Sequence, residues 1–234
     1  MKKIAIITIT NSGLNFGNRL QNYALQERLK KLGVEVETIF AAKGVKNSIL
    51  LSKIRRWMKQ VLKASGRRKC FNLFNKQFIN TCDTIRYEKI NDSVFADKYD
   101  AFVAGSDQVW NPNFHFNSDF EFAAFAPKEK RFSYAASIGV ADIPEEKKAN
   151  FIQLLKDMNM ISVREEDGVR LVEELSGRKA CLNIDPTMLL KSEDYAKLEK
   201  KPEGIDIPEH YVLKYYLGNV LPEYDKDIEE VGKT

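Results

Sequence analysis

The first 40 residues alternate between strand and helix patterns, and this restricts the fold more than any other part of the sequence. Residues 3–10 are rich in Ile and Thr and lead into a polar loop over residues 11–17. Residues 18–32 carry leucines at helical spacing, Gly33 ends this helix, and residues 34–40 alternate like a second strand. A strand, a helix and a strand in this order form a βαβ unit, which predicts a parallel sheet.

The same alternation continues along the chain to about residue 190. It predicts further strands over residues 99–104, 131–137, 160–163 and 179–184, and helices over residues 145–158 and 167–175. We therefore predict that residues 1–190 form an α/β domain, a doubly wound, mostly parallel sheet of the Rossmann-like type.

The last part of the chain has a different character. Residues 191–210 are charged and contain two prolines and a glycine, which predicts a linker. Residues 211–217 predict one more strand and residues 223–231 a short helix, so we expect residues 211–234 to be the start of an incomplete second α/β domain. Such an unpaired apolar strand is expected to pack on the first domain or to join a second copy of the chain in a homodimer.

Charge and cysteine usage exclude several classes of function. The chain has 37 basic and 33 acidic residues, and a net charge of +4 is too small to predict a nucleic-acid partner. The three cysteines include no C-x-x-C pair and the two histidines lie far apart, so we expect no metal site and reduced thiols of a cytoplasmic protein. No apolar stretch reaches the roughly 18 residues of a membrane span.

Residues 41–82 contain eleven Lys or Arg residues and no Asp or Glu. Apolar residues recur at helical spacing over residues 50–62, which predicts a basic amphipathic helix, and a second helix is predicted over residues 70–79. Two interpretations stay open. The helix either packs on the domain with a solvated basic face, or touches the anionic inner face of the cell membrane or a phosphorylated lipid carrier.

Ligands of open parallel sheets bind beyond the carboxyl ends of the strands, and the loop after the first strand is distinctive there. It carries Asn15, Gly17 and Asn18 at the start of a helix, whose free N–H groups and dipole favour an anion. The spacing is neither G-x-G-x-x-G nor a P-loop, so neither a dinucleotide nor ATP is predicted. A tight turn between strand and helix explains the loop equally well.

The strand over residues 99–104 is followed by a dense set of polar and aromatic residues. A hydroxyl, a carboxylate, two amides and an indole suit the hydroxyl edges and C–H faces of a sugar. They belong to Ser106, Asp107, Gln108, Asn111 and Trp110. The alternative is a capped turn with a core tryptophan.

Charged residues follow the last two predicted strands of the domain. Arg164 stands at a strand tip beside Glu165, where it can hold a phosphate or carboxylate, although a structural salt bridge to a nearby acid is the alternative. Asp185 closes the last strand, and there a helix cap or an Asx turn explains it as well as a ligand does.

Taken together, these segments make the chain similar to the polysaccharide pyruvyl transferase family. The resemblance covers nearly the whole chain and rests on five segments in order, residues 15–18 with the helix up to Gly33, 105–111, 133–139, 162–165 and 185–187. It implies a fold like the two-domain GT-B glycosyltransferases. It also implies transfer of the pyruvyl group of phosphoenolpyruvate to a sugar as a cyclic ketal, in the synthesis of bacterial surface polysaccharides such as capsule, with no cofactor.

The chemistry of that reaction suggests roles for the candidate residues. Asp107 is the candidate base for the acceptor hydroxyl, and Arg164 is the candidate for holding the anionic donor. The other candidate substrate-binding residues are Asn15, Gly17, Asn18, Ser106, Gln108, Trp110, Asn111 and Glu165. We expect Asn15, Gly17, Asn18, Asp107, Trp110 and Arg164 to line one cleft at one edge of the sheet.

The resemblance also implies partners and alternatives. The acceptor is expected to be a sugar or a lipid-linked oligosaccharide. Family members usually carry a complete second domain with further Arg and His residues for phosphoenolpyruvate, so we expect this chain to be a truncated form that lacks pyruvyl transfer. The alternatives are a GT-B-like glycosyltransferase and a non-catalytic carbohydrate-binding α/β module.

Overall fold

The computed structural model describes residues 1–10, 15–42, 66–82, 85–86, 93–114, 119–215, 224 and 228–230. The chain forms two compact units, Met1–Asp194 and Tyr195–Thr234. No helix among these described residues is long and apolar enough to cross a membrane.

The first unit alternates strands and helices, as the sequence predicts. Its strands in the described part of the chain are β1 (Lys3–Ile7), β2 (Glu35–Thr38), β3 (Ala41–Ala42), β4 (Ile85–Arg86), β5 (Ala101–Gly105), β6 (Arg131–Tyr134), β7 (Ser162–Val163) and β8 (Cys181–Leu182). Its α-helices there are α1 (Phe16–Lys30), α2 (Gly66–Phe78), α3 (Ser93–Ala96), α4 (Glu145–Lys156), α5 (Glu166–Ser176) and α6 (Ser192–Ala196), the last of which runs two residues past the unit's end. Two short 3₁₀ turns cover Lys128–Lys130 and Pro186–Leu189.

A four-stranded sheet with the order β2-β1-β5-β6 forms the centre of the first unit, and all its neighbouring strands are parallel. Isolated bridges from Phe132 to Met160 and from Ala136 to Val163 extend β6 towards β7, which pairs in parallel with β8. The predicted α/β fold with a mostly parallel sheet is confirmed. Apart from Lys3, the central strands β1 and β5 are apolar, as is typical of strands covered on both faces, and Ile6, Ile7 and Phe102 have no exposed surface.

Helix α1 begins at the carboxyl edge of this sheet. The side chain of Asn15 caps it by accepting from the backbone N–H of Asn18 at 3.0 Å. After the helix, Gly33 adopts a φ of 79° and allows the turn into β2. Gly105 at the end of β5 leaves room for α1, because an added Cβ would lie 2.6 Å from Cδ2 of Leu25.

The buried face of α1 is unusually polar, and Asn22 and Gln26 find hydrogen-bond partners in other segments. Asn22 accepts from the hydroxyl of Thr38 at 2.9 Å. The amide of Gln26 donates to Phe78 O at 2.9 Å and accepts from Asn80 N at 2.6 Å, so it ties α1 to the end of α2.

Of the two helices predicted in the basic segment, one can be compared with the structure. The predicted helix over residues 50–62 lies outside them. The second, predicted over residues 70–79, is α2 at Gly66–Phe78. In α2, Phe71 is buried and Cys70 is exposed.

The predicted strand over residues 211–217 is wrong for residues 211–215, which form neither strand nor helix. A strand needs a neighbouring strand for its backbone hydrogen bonds, and the described residues of the second unit contain none. Tyr211, Leu213 and Tyr215 are each more than 60% exposed. Residues 216–217 lie outside the described residues, whereas Tyr224 and residues 228–230 are helical within the helix predicted over 223–231. The linker predicted over residues 191–210 begins with α6 and has no helix or strand over residues 199–210.

Candidate active site

The loops after β1 and β5 meet at the carboxyl edge of the sheet. The side-chain amide of Asn18 donates to Ile9 O and to Oδ2 of Asp107, the second bond over 2.7 Å. Asn18 is buried, and Asn15 caps the same helix end. The structure therefore brings Asn15, Asn18 and Asp107 together, as the parallel sheet predicts.

Asp107 is held from several directions. Its Oδ1 accepts from the backbone N–H of Gln108 at 2.8 Å, and its carbonyl accepts from the N–H of Ser137 at 3.1 Å. The side chain is half-buried. Each carboxylate oxygen can accept more than one hydrogen bond, so the fixed carboxylate retains acceptor capacity for a hydroxyl group.

One residue before Asp107, Ser106 belongs to a second cluster that includes Arg164 and Asp185. Nη1 of Arg164 donates to Ser106 O at 3.1 Å and to Oδ2 of Asp185 at 2.9 Å. The hydroxyl of Ser106 donates to the same Oδ2 at 3.0 Å. Neighbouring residues of one loop thus connect a carboxylate held by Asn18 with an arginine held by Asp185.

Asp185 was an ambiguous residue in the sequence, and the structure gives it two roles at once. Its Oδ1 accepts from the backbone N–H and the hydroxyl of Thr187, at 2.9 and 2.8 Å, which caps the turn Pro186–Leu189. Burial by itself would raise the pKa of Asp185, but the bonds from Thr187, Arg164 and Ser106 outweigh it and hold the pKa below its ordinary value. The carboxylate is therefore a stable counter-charge at the strand end.

Arg164 is also paired with its neighbour, because its Nε donates to Oε1 of Glu165 at 3.1 Å. Burial alone would lower the pKa of Arg164, but the bonds to Asp185 and Glu165 raise it above its ordinary value. Within the described part of the chain, Nη2 makes no hydrogen bond, and the side chain is about one-third exposed. The structural salt bridge is present, and the guanidinium still offers donors to an anion.

Trp110 corrects the sequence prediction of a sugar-facing ring. It has no exposed surface and stacks on Phe122 with ring centroids 4.7 Å apart and an interplanar angle of 1°. Its indole N–H donates to Glu121 O at 3.2 Å. The core interpretation of this residue therefore holds, because a ring covered in this way offers no face to a ligand.

Gln108 and Asn111 form a small hydrogen-bonded turn next to the site. The amide of Asn111 donates to Oε1 of Gln108 at 2.8 Å, and its own Oδ1 accepts from the N–H of Asn113 at 2.9 Å. Gly139 packs against both side chains with a φ of 65°, and a Cβ there would lie 2.9 Å from each. Asn111 is buried, so it shapes the loop, whereas Gln108 remains half-buried beside Asp107.

Gly17 lies in the first turn of α1. An added Cβ would lie 3.4 Å from Oδ1 of Asn15, and the backbone there does not adopt the left-handed conformation that favours glycine. Its place at the helix start agrees with the prediction, but the structure shows no close approach that only glycine permits.

Sequence reasoning missed Arg19, which is buried beside the site. Its Nη1 donates to Asn15 O and to Oδ1 of Asn18, both at 3.3 Å, and its guanidinium lies 4.8 Å from the centroid of Phe71. Burial lowers its pKa. A cavity of about 200 Å³ lies between α1 and α2 next to it, lined also by Phe16, Leu20, Cys70, Phe71 and Phe74. The signal in the sequence is its position directly after Asn18, but an arginine in a helix is ordinarily exposed.

The site can hold an anion at Arg164 and can accept a proton at Asp107. Among the described residues, no group of three or more His, Cys, Asp or Glu side chains is placed to hold a metal ion. The family model for polysaccharide pyruvyl transferases matches residues 15–230. The chain belongs to the polysaccharide pyruvyl transferase family. No curated protein and no solved structure is found to match it.

The match to the polysaccharide pyruvyl transferase family begins at Asn15, the residue that caps α1, and runs through Asp107, Arg164 and Asp185. Both clusters therefore lie inside the part of the chain that defines the family. The two clusters place a carboxylate after β5 and a cation after β7.

Proposed function

We propose that the chain transfers the pyruvyl group of phosphoenolpyruvate to two hydroxyls of a sugar, as a cyclic ketal, in the synthesis of a bacterial surface polysaccharide. The observation that carries this proposal is the position of Arg164. Asp185 and the carbonyl of Ser106 fix this side chain, and Ser106 is the residue directly before Asp107. Nη2 of Arg164 makes no hydrogen bond within the described part of the chain.

Arg164 matches the charge of the donor. Phosphoenolpyruvate carries a phosphate and a carboxylate, and an arginine binds either group through parallel N–H donors. The pKa of Arg164 lies above its ordinary value, so the guanidinium stays charged at every physiological pH. In the proposed complex Arg164 holds one anionic group of the donor beside the loop that carries Asp107.

Asp107 acts on the acceptor in this proposal. Its carboxylate accepts the proton of the first sugar hydroxyl as the oxygen attacks the central carbon of the donor, whose methylene carbon becomes a methyl group by gaining a proton. Phosphate then leaves with the electrons of its C–O bond. The second hydroxyl adds to the same carbon and loses its proton, so one proton ends on the methyl group and one on phosphate.

The amide of Asn18 keeps the Asp107 carboxylate in one orientation, because it donates to Oδ2 from a buried position. Asn15 is exposed at the start of α1 and Gln108 follows Asp107 in the loop, and in the proposal both contact the acceptor hydroxyls. Orientation of this kind lowers the barrier by fixing the reacting groups before the reaction begins.

Calorimetric titration of the 234-residue chain with phosphoenolpyruvate tests the donor assignment. We expect R164M to weaken binding roughly 10- to 100-fold, the size of a hydrogen bond to a charged group. R170M is the matched control, because Arg170 is exposed on α5 and pairs with Glu174 at 2.9 Å. Equal binding by R164M and the parent chain would remove Arg164 from the donor site, and circular dichroism verifies that both variants fold.

Phosphate release in the presence of acceptor sugars tests the reaction, and release by the parent chain would overturn the expectation from the sequence that this chain lacks pyruvyl transfer. We expect D107N to bind phosphoenolpyruvate like the parent chain and to release phosphate about 100-fold more slowly or worse, because a general base contributes roughly 10²–10⁴-fold. A D107N chain with the parent's rate would show that another group takes the proton.

A further inference from the structure

We propose that Glu165 is a displaceable counter-ion of Arg164. The anionic donor takes the place of Glu165 on the guanidinium, while Asp185 stays bound and keeps Arg164 in position. This inference rests on the proposed function, since it describes how the same arginine exchanges one acid for another.

The two acids that contact Arg164 are held very differently. Asp185 accepts four hydrogen bonds, two at each oxygen, from Ser106, Arg164 and Thr187. Glu165 accepts one, at Oε1, from Arg164. Its Oε2 is shielded from solvent and accepts no hydrogen bond from the described residues. A shielded carboxylate oxygen without a donor is unfavourable, so Glu165 is held much more weakly than Asp185.

The geometry of the guanidinium shows why Glu165 must move. An arginine has five N–H donors, and it binds an anion bidentately through Nη2 together with either Nη1 or Nε. Both N–H groups of Nη1 are used, by Ser106 O and Asp185. The remaining edge is Nε with Nη2, and Glu165 occupies Nε at 3.1 Å. Bidentate binding of a phosphate or carboxylate therefore requires Glu165 to leave.

Glu165 is free to leave without damage to the fold. It stands at the N-cap position of α5 with extended backbone angles (φ −116°, ψ 146°), but its side chain makes no capping hydrogen bond. The helix start therefore does not depend on this carboxylate. The same position makes Glu165 a specificity determinant, because a neutral sugar or a weakly bound monodentate anion gains too little to displace it.

Calorimetric titration of the full chain with phosphoenolpyruvate, and separately with inorganic phosphate, tests this inference. We expect E165Q to bind phosphoenolpyruvate about two- to fivefold more tightly than the parent chain, the size of a competing ion pair that is partly exposed. E174Q is the matched control, because Glu174 pairs with Arg170 on the same helix and should leave the affinity unchanged. A gain of affinity is a result that a merely structural residue does not produce.

The outcomes separate this inference from the proposed function. Unchanged or weaker binding of both probes by E165Q would overturn the inference, and the melting temperature verifies that the variant is folded. If phosphoenolpyruvate does not bind but phosphate binds more tightly to E165Q, the counter-ion role stands and the donor assignment fails. If the parent chain and E165Q bind neither probe, both proposals fall.

Discussion

Asn18 donates a 2.7 Å hydrogen bond to Oδ2 of Asp107, although 89 positions separate the two residues in the chain. The amide is buried and also donates to Ile9 O, so it cannot follow the carboxylate if Asp107 moves. The orientation of the proposed base is therefore set by the amino end of α1.

Substitution of Asn18 tests this relationship. We expect N18L to lower the rate of phosphate release roughly 10- to 100-fold, because a hydrogen bond to a charged group is worth about 1.5–3 kcal/mol, and to leave the affinity for phosphoenolpyruvate unchanged. N150L is the matched control, since Asn150 donates to Oδ1 of Asp119 at 3.1 Å at an exposed position. Weaker binding of phosphoenolpyruvate by N18L would instead place Asn18 in the phosphoenolpyruvate site.

Asp185 should make the folded state sensitive to acid. Its pKa is lower in the folded chain than in the unfolded one, so the unfolded chain takes up the proton first as the pH falls. The stabilisation is complete above the unfolded pKa of about 3.9 and is lost as the pH drops below it towards the folded pKa. We expect D185N to lose about 1–3 kcal/mol at pH 7, and to show a shallower fall in stability below about pH 4. Urea unfolding at a series of pH values measures both, and parallel curves for the two chains would contradict the assignment.

Substitution of Trp110 tests whether this residue serves the core or contacts a ligand. We expect W110A to lower the free energy of unfolding by about 3–5 kcal/mol, because it removes a buried ring from its stack on Phe122. W110F keeps a ring against Phe122 and should lose much less. A W110A chain with the parent's stability but weaker sugar binding would restore the sugar-platform interpretation.

The central sheet could be predicted from the sequence because β1 and β5 lie in apolar runs and residues 34–40 alternate between apolar and polar side chains. The predicted strands over residues 3–10, 34–40 and 131–137 each contain a shorter strand, whereas β5 runs one residue past the predicted end at residue 104. Residues 211–215 have the same local pattern, but a strand also needs a partner, and a local pattern does not supply one.

The site could be predicted only by residue type and position. Polar residues after parallel strands converge, so the meeting of Asn18 with Asp107 follows from topology. Which acid pairs with Arg164 is a long-range matter, because Asp185 lies 21 positions away and an Asx turn was an equally good account of it. The prediction that Trp110 faces a sugar was wrong for a related reason, since the sequence does not show whether an indole ring points into the core or towards a ligand.

Gly105 should be sensitive to the smallest substitution. An alanine Cβ would lie 2.6 Å from Cδ2 of Leu25, which is buried, so G105A should push α1 away and cost about 1–3 kcal/mol. We also expect slower phosphate release, because the Asn18–Asp107 bond would lengthen. The double variant G105A/L25V should recover part of both losses. A G105A chain with the parent's stability and rate would show that α1 absorbs the methyl group.

Because α1 packs closely against Gly105, the evolution of this site is constrained by a residue that contacts no substrate. Leu25 and Gly105 set how far the helix stands from the sheet, and the helix start carries Asn18 towards Asp107. Lineages that enlarge one of the two positions are expected to shrink the other, whichever sugar they modify. Compensating changes at this pair would therefore mark which relatives keep the same spacing of base and amide, even where the loops that meet the acceptor have diverged.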